Sequence, residues 1–220
     1  MTWTSAFGKA CRVLLYGIVR GLALTRINPN ILTFLGLVIN IGAAVLFGYA
    51  TVETQQRMFL YAGLTIIAAG IFDMVDGRVA RATGQVTTFG AFFDSVIDRY
   101  SDIALYFGLL VFYARGYRFF YVVLTAVAMT GSIMVSYTRA RAESLIPQCK
   151  VGFMERPERI VLVLLGALFN RMAPVLWVIS VLGTVTVIHR IVYTYKQTRP
   201  KDLAAMAAQQ ADLQPLQSKS

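Results

Sequence analysis

Four aspartates in an otherwise apolar stretch are the residues best placed to carry chemistry. Asp73 and Asp76 are three residues apart, and Asp94 and Asp98 are four apart, so each pair shares one face of a helix. The chain has only 11 acidic residues in 220. Carboxylates grouped in apolar surroundings repel one another unless a cation lies among them. Oxygen ligands without a nearby His or Cys favour Mg²⁺, Mn²⁺ or Ca²⁺ over Zn²⁺.

Two glycines and an arginine accompany the aspartates. Gly77 directly follows Asp76, Gly90 lies one turn before Asp94, and Arg81 lies one turn after Gly77. Glycine permits the close approach of a ligand or of another helix, and an arginine beside it can hold a phosphate. A metal, bare backbone and a guanidinium together predict a pyrophosphate site.

Two other interpretations of the aspartates stay open at this point. They could form a structural salt-bridge network with Arg78, Arg81 and Arg99. They could also relay protons or Na⁺ in a small ion-coupled transporter, because acids inside a membrane mark such pathways. The two glycines favour a ligand site over both alternatives.

The elements that must position these residues are membrane helices. The chain is 57% hydrophobic and only 15% charged, with a mean hydropathy of +0.61, whereas soluble domains carry about 25% charged residues. The pattern predicts an all-α polytopic membrane protein with six transmembrane helices. Their predicted positions are about residues 31–50, 57–79, 90–113, 119–138, 159–170 and 173–195. The fifth is short and is expected to extend upstream into the segment ERPER.

The predicted organisation has three parts. Residues 1–28 form an amphipathic helix at the membrane interface, because Lys9, Arg12 and Arg20 make this a poor span. Residues 29–198 form the six-helix domain. Residues 199–220 form a polar tail, expected to be a frayed helix or disordered. The short link between the second and third spans predicts that these two helices are antiparallel neighbours.

The distribution of basic residues predicts the orientation. Six spans place both termini on one side, and only Arg57, Arg115, Arg118 and Arg171 of the 21 Lys and Arg residues lie on the other. The positive-inside rule then puts the termini and the aspartates on the cytoplasmic side of the cell membrane. The net charge of +10 therefore indicates contact with anionic lipid headgroups and not nucleic-acid binding. Neither a disulfide between the two cysteines nor a cleavable signal peptide is expected.

The spacing of the motif carries a family resemblance. The fixed positions are Asp73-x2-Asp76-Gly77-x2-Ala80-Arg81-x8-Gly90-x3-Asp94-x3-Asp98. This pattern resembles the signature of the CDP-alcohol phosphatidyltransferase family without departure, and the resemblance covers the chain apart from its C-terminal tail. It implies a six-helix membrane enzyme, usually a homodimer, that transfers a phosphatidyl group from CDP-diacylglycerol to an alcohol and releases CMP.

The resemblance also implies roles for individual residues. The four aspartates would ligate two Mg²⁺ ions, or Mn²⁺, and Asp98 would also be the general base that takes the hydroxyl proton. Family positions that contact the CDP part of the lipid correspond to Asn30, Ile31, Leu32, Thr33, Gly77, Arg81, Thr87 and Gly90. Asn30 fits equally well as the N-cap of the first span.

Arginines in the C-terminal half of the chain predict which alcohol is the acceptor. Several guanidiniums at the depth of the aspartates indicate a phosphorylated acceptor, because the arginine fork matches phosphate. The alternative is positive-inside anchoring, with Glu143, Glu155 and Glu158 as surface partners. The region resembles the phosphatidylinositol-phosphate synthase branch, which uses inositol 1-phosphate and often has lysine at the position of Arg139. The matching residues are Ser136, Arg139, Arg141, Arg156, Arg159 and Arg190.

Several functions remain to be separated. The same chemistry could use glycerol 3-phosphate, giving phosphatidylglycerophosphate, or another alcohol such as serine, and the ion-coupled transporter is the alternative from another class. A Ser-His-Asp hydrolase is excluded, since the only histidine, His189, lies far along the chain. The sequence has no phosphate-binding loop of the G-x4-G-K-[ST] type. Isoprenoid diphosphate enzymes share an acidic DxxD pattern but lack the Gly-x2-Ala-Arg continuation.

Overall fold

The computed structural model describes residues 28–217, which fold into six α-helices. The helices are α1 Pro29–Tyr49, α2 Gln55–Thr83, α3 Thr88–Arg115, α4 Phe119–Glu143, α5 Arg156–Leu168 and α6 Met172–Gln217. No strand occurs among these residues, which confirms the all-α prediction. The predicted interfacial helix over residues 1–28 lies outside the described residues, except for Asn28.

The helix boundaries follow the predicted spans closely. Helix α5 begins at Arg156, inside the ERPER segment, as expected. Helix α6 extends beyond the sixth predicted span and continues as one helix to Gln217, so the tail is helical up to that residue, one of the two predicted alternatives. This stretch is rich in Ala, Gln and Leu, which are strong helix formers.

The chain is a multi-pass membrane protein. Four helical segments are long and apolar enough to cross a bilayer: α1, α2, α4 and Met172–Pro200 of α6. Helix α3 is not among these apolar segments, and its first 15 residues include Asp94, Asp98, Arg99 and Asp102. Helix α5 has only 13 residues, so it rises about 20 Å, less than the roughly 30 Å of hydrocarbon in a bilayer.

Helix α1 begins with a cap that the sequence reading assigned to the wrong asparagine. The side chain of Asn28 accepts a hydrogen bond of 3.0 Å from the backbone N–H of Asn30, and Pro29 occupies the first helical position. Proline is favoured there because its missing N–H would have no partner in the helix. Asn28 is therefore the N-cap, and Asn30 lies in the first turn.

Helix α1 packs along both α2 and α3. Helices α2 and α3 themselves touch little, so the prediction that they are direct neighbours is wrong. The short link, with Gly84 at the left-handed φ of 68°, reverses the chain direction. It does not prevent α1 from lying between α2 and α3. Helix α4 packs on α3 and α6, and α5 packs on α2 and α6. Space is thus left between α2 and α3 at the end that carries the aspartates.

The contact between α1 and α3 depends on Gly108. A Cβ atom on Gly108 would lie 2.3 Å from the backbone oxygen of Ala44, far inside van der Waals contact. The two backbones therefore approach as closely as small residues allow in membrane helices. Further along, Phe47, Phe59 and Phe112 form edge-to-face aromatic contacts with centroid distances of 4.9 Å, which join α1, α2 and α3 at the end opposite the aspartates.

We expect Gly108→Ala to destabilise the protein by about 1–3 kcal/mol, because the added methyl group forces α1 and α3 apart. Thermal unfolding in detergent measures the effect. Gly131→Ala is the matched control, since a Cβ atom at Gly131 meets no atom within 4 Å. If the Gly108→Ala protein unfolds at the same temperature as the Gly131→Ala protein, the close contact between α1 and α3 is incorrect.

Candidate active site

Three of the predicted aspartates converge at one end of the bundle. One carboxylate oxygen each from Asp73, Asp76 and Asp94 lies within 4.8 Å of the others. Asp76 is buried, Asp94 is half-buried and Asp73 is exposed. An all-oxygen set of this size suits a hard divalent cation such as Mg²⁺ or Mn²⁺. The residues present therefore fit the ion that the motif implies.

The Asp76 carboxylate is held by two hydrogen bonds. The Thr33 hydroxyl donates to Asp76 Oδ2 at 2.6 Å, and the backbone N–H of Gly77 donates to Asp76 Oδ1. Thr33 and Asp76 come from α1 and α2, so the insertion of α1 beside α2 fixes the position of this carboxylate. The sequence predicted Thr33 as a CDP contact, and the structure also makes it a partner of the predicted metal ligand.

Asp98 lies apart from the three-oxygen group and contacts Arg156. The Arg156 Nη1 atom is 2.8 Å from Asp98 Oδ1 and 3.1 Å from Asp73 Oδ2, and its Nε is 3.6 Å from Asp102 Oδ1. The sequence offered three other arginines as salt-bridge partners, Arg78, Arg81 and Arg99. Within residues 28–217, the ion pairs of the four motif aspartates are made by Arg156 and by none of these three. Sequence reasoning had placed Arg156 only in the acceptor site.

A first cavity, the nucleotide-side cavity, lies between α1, the end of α2 and the start of α3. It has a volume of about 240 Å³, and Asp76 and Asp94 form part of its wall. It is also lined by six of the predicted CDP contacts: Asn30, Thr33, Gly77, Arg81, Thr87 and Gly90. The structure does not bring Ile31 and Leu32 there, because Ile31 faces outward and Leu32 packs in the core.

Gly90 contributes bare backbone to the wall of this cavity. A Cβ atom at Gly90 would lie 3.0 Å from the Thr87 hydroxyl oxygen and 3.4 Å from Asn30 Oδ1. The Thr87 hydroxyl accepts a hydrogen bond of 2.9 Å from the backbone N–H of Gly90, which makes Thr87 the N-cap of α3. The sequence motif thus combines a helix cap with bare backbone beside the cavity.

A second cavity, the arginine pocket, lies between α3, α4, α5 and α6 and has a volume of about 380 Å³. Asp98 forms part of its wall. Five of the six predicted acceptor residues also line it: Ser136, Arg139, Arg156, Arg159 and Arg190. The sixth, Arg141, is exposed, hydrogen bonds to Ser144 and lies outside the pocket.

Acidic residues hold the arginines of this pocket in place. Asp102 Oδ2 accepts a hydrogen bond of 2.7 Å from Arg159 Nη2, and both side chains are buried. Glu155 Oε1 accepts hydrogen bonds from Arg139 at 2.9 Å and from Arg190 at 3.2 Å. Sequence reasoning did not identify Asp102. The available signal was its position four residues after Asp98, on the same face of α3.

Arg190 also ties three parts of the chain together. Its side chain is buried and donates to the backbone oxygens of Val151 and Val135 and to Glu155. These partners lie in the connection between α4 and α5, in α4 itself and just before α5. Arg190 therefore shapes the wall of the arginine pocket as well as contributing charge to it.

A third cavity, the lipid-side groove, has a volume of about 310 Å³ and runs from Asp73 and Asp98 along α1 to Asn40. It is lined by residues of α1, α2, α3 and α5. Asp98, Arg156 and Pro157 line both this groove and the arginine pocket. A ligand in one cavity can therefore meet a ligand in the other beside the Asp98 carboxylate.

Comparison with known proteins identifies the family of this chain. Residues 26–197 match the family model of the CDP-alcohol phosphatidyltransferases. The chain belongs to this family. The transferase is 35% identical over 175 residues to the archaetidylinositol phosphate synthase of Pyrococcus horikoshii, covering 79% of this chain and 87% of that one. It is 34% identical over 172 residues to the phosphatidylinositol phosphate synthase of Mycobacteroides abscessus, covering 74% and 76%.

Solved structures of a similar enzyme share the fold of this transferase. The phosphatidylinositol phosphate synthase of Mycobacterium tuberculosis with CDP-DAG bound aligns with a TM-score of 0.74 at 30% identity, covering 82% of this chain and 93% of that one. The same enzyme in complex with manganese and citrate aligns with a TM-score of 0.71 at 30% identity, covering 82% and 88%. This chain is thus a membrane-embedded transferase of phospholipid biosynthesis.

Proposed function

We propose that this transferase joins CDP-diacylglycerol to inositol 1-phosphate and releases phosphatidylinositol phosphate and CMP. The observation that carries the proposal is the arginine pocket beside Asp98, since a free polyol needs no such cluster of guanidiniums. The names of the relatives, archaetidylinositol phosphate synthase and phosphatidylinositol phosphate synthase, support the same acceptor.

In the proposed reaction, a hydroxyl of the acceptor attacks the lipid-side phosphorus of CDP-diacylglycerol. The new P–O bond forms as the pyrophosphate P–O bond breaks, and CMP leaves with the bridging oxygen. Asp98 accepts the hydroxyl proton, because its carboxylate lies where the arginine pocket and the lipid-side groove meet. Gly77, Arg81, Thr87 and Gly90 hold the CDP part in the nucleotide-side cavity, and Arg139 and Arg159 hold the acceptor phosphate.

We assign the divalent ions to the motif aspartates. Asp73, Asp76 and Asp94 would hold Mg²⁺ or Mn²⁺ directly, and Asp98 would complete a site for two ions after release from Arg156. Ions held there would supply positive charge that stabilises the phosphoryl oxygens and the leaving phosphate. The manganese complex of the mycobacterial synthase supports such a site.

The proposed setting is the cytoplasmic side of the cell membrane. All six helices would cross or enter the bilayer, and both termini would be cytoplasmic, as the distribution of Lys and Arg indicates. In this arrangement α3 and α5 are embedded together with the four helices that are long and apolar enough to cross a bilayer. We also propose a homodimer, which rests on the family resemblance.

Release of CMP by the purified protein in detergent, with CDP-diacylglycerol and Mg²⁺, tests the acceptor. We expect CMP release with inositol 1-phosphate and little release with inositol, because only the phosphate can pair with the guanidinium groups of the arginine pocket. EDTA is expected to stop the reaction. Release of CMP only with glycerol 3-phosphate or serine would contradict the inositol 1-phosphate assignment. Absence of CMP with every acceptor would contradict the proposed reaction.

A further inference from the structure

A polar residue lies deep in the lipid-side groove. Asn40 of α1 lines the groove, is only 7% exposed, and its amide oxygen has no hydrogen-bond partner among the residues that the structure describes. It lies seven residues, or two helical turns, beyond Thr33, so it is about 10 Å deeper along α1. Thr33, Gly36 and Asn40 lie on the same face of the helix.

An amide with an unpaired buried oxygen is costly at this place, which indicates a role other than stabilising the fold. Buried polar groups are nearly always hydrogen bonded, and an exception needs an explanation. The cost is higher in a membrane, where no bulk water can replace the partner. Asn40 has Ala43, Ala44 and Phe47 as buried neighbours further along α1, so the surroundings would accept an apolar residue at this position.

The groove has the form that the lipid part of the donor requires. One end is formed by Asp73 and Asp98, where the proposed reaction places the reacting phosphorus. The groove also opens on the outer surface, because Met74 and Val161 line it and are 47% and 51% exposed. The diacylglycerol part of the lipid, which extends from the phosphate, can therefore lie along the groove past Asn40 and reach the bilayer.

We propose that Asn40 binds an ester carbonyl of CDP-diacylglycerol and makes the enzyme prefer ester-linked over ether-linked lipid, an inference that rests on the proposed function. The ester carbonyls lie a few bonds from the phosphorus, between the headgroup and the acyl chains. They only accept hydrogen bonds, so the NH₂ end of the amide is the matching group. The NH₂ nitrogen, unlike the amide oxygen, is not fully buried among the described residues, so it can donate to a carbonyl in the groove.

The test compares CDP-diacylglycerol with the ether-linked CDP-dialkylglycerol in wild-type protein and in Asn40→Leu. Wild-type protein is expected to use the ester lipid with an apparent KM about 3- to 10-fold lower, as the loss of one hydrogen bond predicts. Asn40→Leu is expected to use the two lipids equally. Its unfolding temperature without lipid should be at least that of the wild type, because an unpaired buried amide has been removed.

Controls separate this inference from the proposed reaction. Thr125→Val also replaces a buried polar residue of a membrane helix and should keep the ester preference. Asn40→Ala is a second variant, to be used if the larger leucine does not fit. The rise in unfolding temperature on adding each lipid measures binding in the absence of turnover. Binding of both lipids without CMP release would count against the proposed acceptor only. An ester preference that persists in both Asn40 variants, or is absent from wild-type protein, would overturn the assignment of Asn40.

Discussion

Asp98→Asn is expected to lower kcat at least about 100-fold, since a positioned general base contributes roughly 10²–10⁴-fold. The side chain keeps its size but cannot take a proton from the acceptor hydroxyl. Asp98 is also the aspartate at the junction of the arginine pocket and the lipid-side groove, so no other motif carboxylate can replace it. CMP release at saturating CDP-diacylglycerol and acceptor measures kcat.

Two further measurements show whether the loss is chemical. The unfolding temperature of Asp98→Asn should stay near that of wild-type protein, because Arg156 keeps its contacts with Asp73 and Asp102. Mn²⁺ binding should persist at Asp73, Asp76 and Asp94. Glu53→Gln removes one exposed acid in the connection between α1 and α2 and is expected to leave kcat unchanged. Normal turnover by folded Asp98→Asn would remove Asp98 from the role of base.

The aspartate motif was predictable because its chemistry depends on local spacing. Intervals of three and four residues place carboxylates on one helix face whatever the rest of the chain does. The position of α1 between α2 and α3 was not predictable in this way. It depends on the contact at Gly108 and Ala44, two residues 64 positions apart in the sequence, and only a tertiary structure brings them together.

The arginines show the same division between local and tertiary information. Sequence reasoning placed five arginines in one region, and four of them line a single pocket together with Ser136 and Asp98. It could not separate Arg141, which lies two residues after Arg139 and therefore faces away from it on the helix. Nor could it predict that Arg156 contacts Asp73 and Asp98, since this pairing depends on how α5 packs against α2.

The second large effect is expected at the buried pair of Arg159 and Asp102. Arg159→Ala should raise the KM for inositol 1-phosphate about 10- to 100-fold, the value of one hydrogen bond to a charged group. The KM for CDP-diacylglycerol should change little, because Arg159 does not line the nucleotide-side cavity or the lipid-side groove. Initial rates with each substrate varied in turn separate the two constants.

A change at Arg159 alone also affects stability, and a double variant resolves this. Arg159→Ala leaves Asp102 buried without its 2.7 Å partner, which costs about 3–5 kcal/mol. Replacing both residues, Asp102→Leu with Arg159→Met, removes the unpaired charge and should restore the unfolding temperature, since apolar replacement of a buried pair is often neutral or stabilising. The guanidinium is still missing, so the KM for inositol 1-phosphate should remain high.

Lys150→Ala, which removes an exposed cation from the connection between α4 and α5, should leave that KM unchanged. A stable double variant with a normal KM for inositol 1-phosphate would show that Arg159 only supports the fold and does not bind the acceptor phosphate.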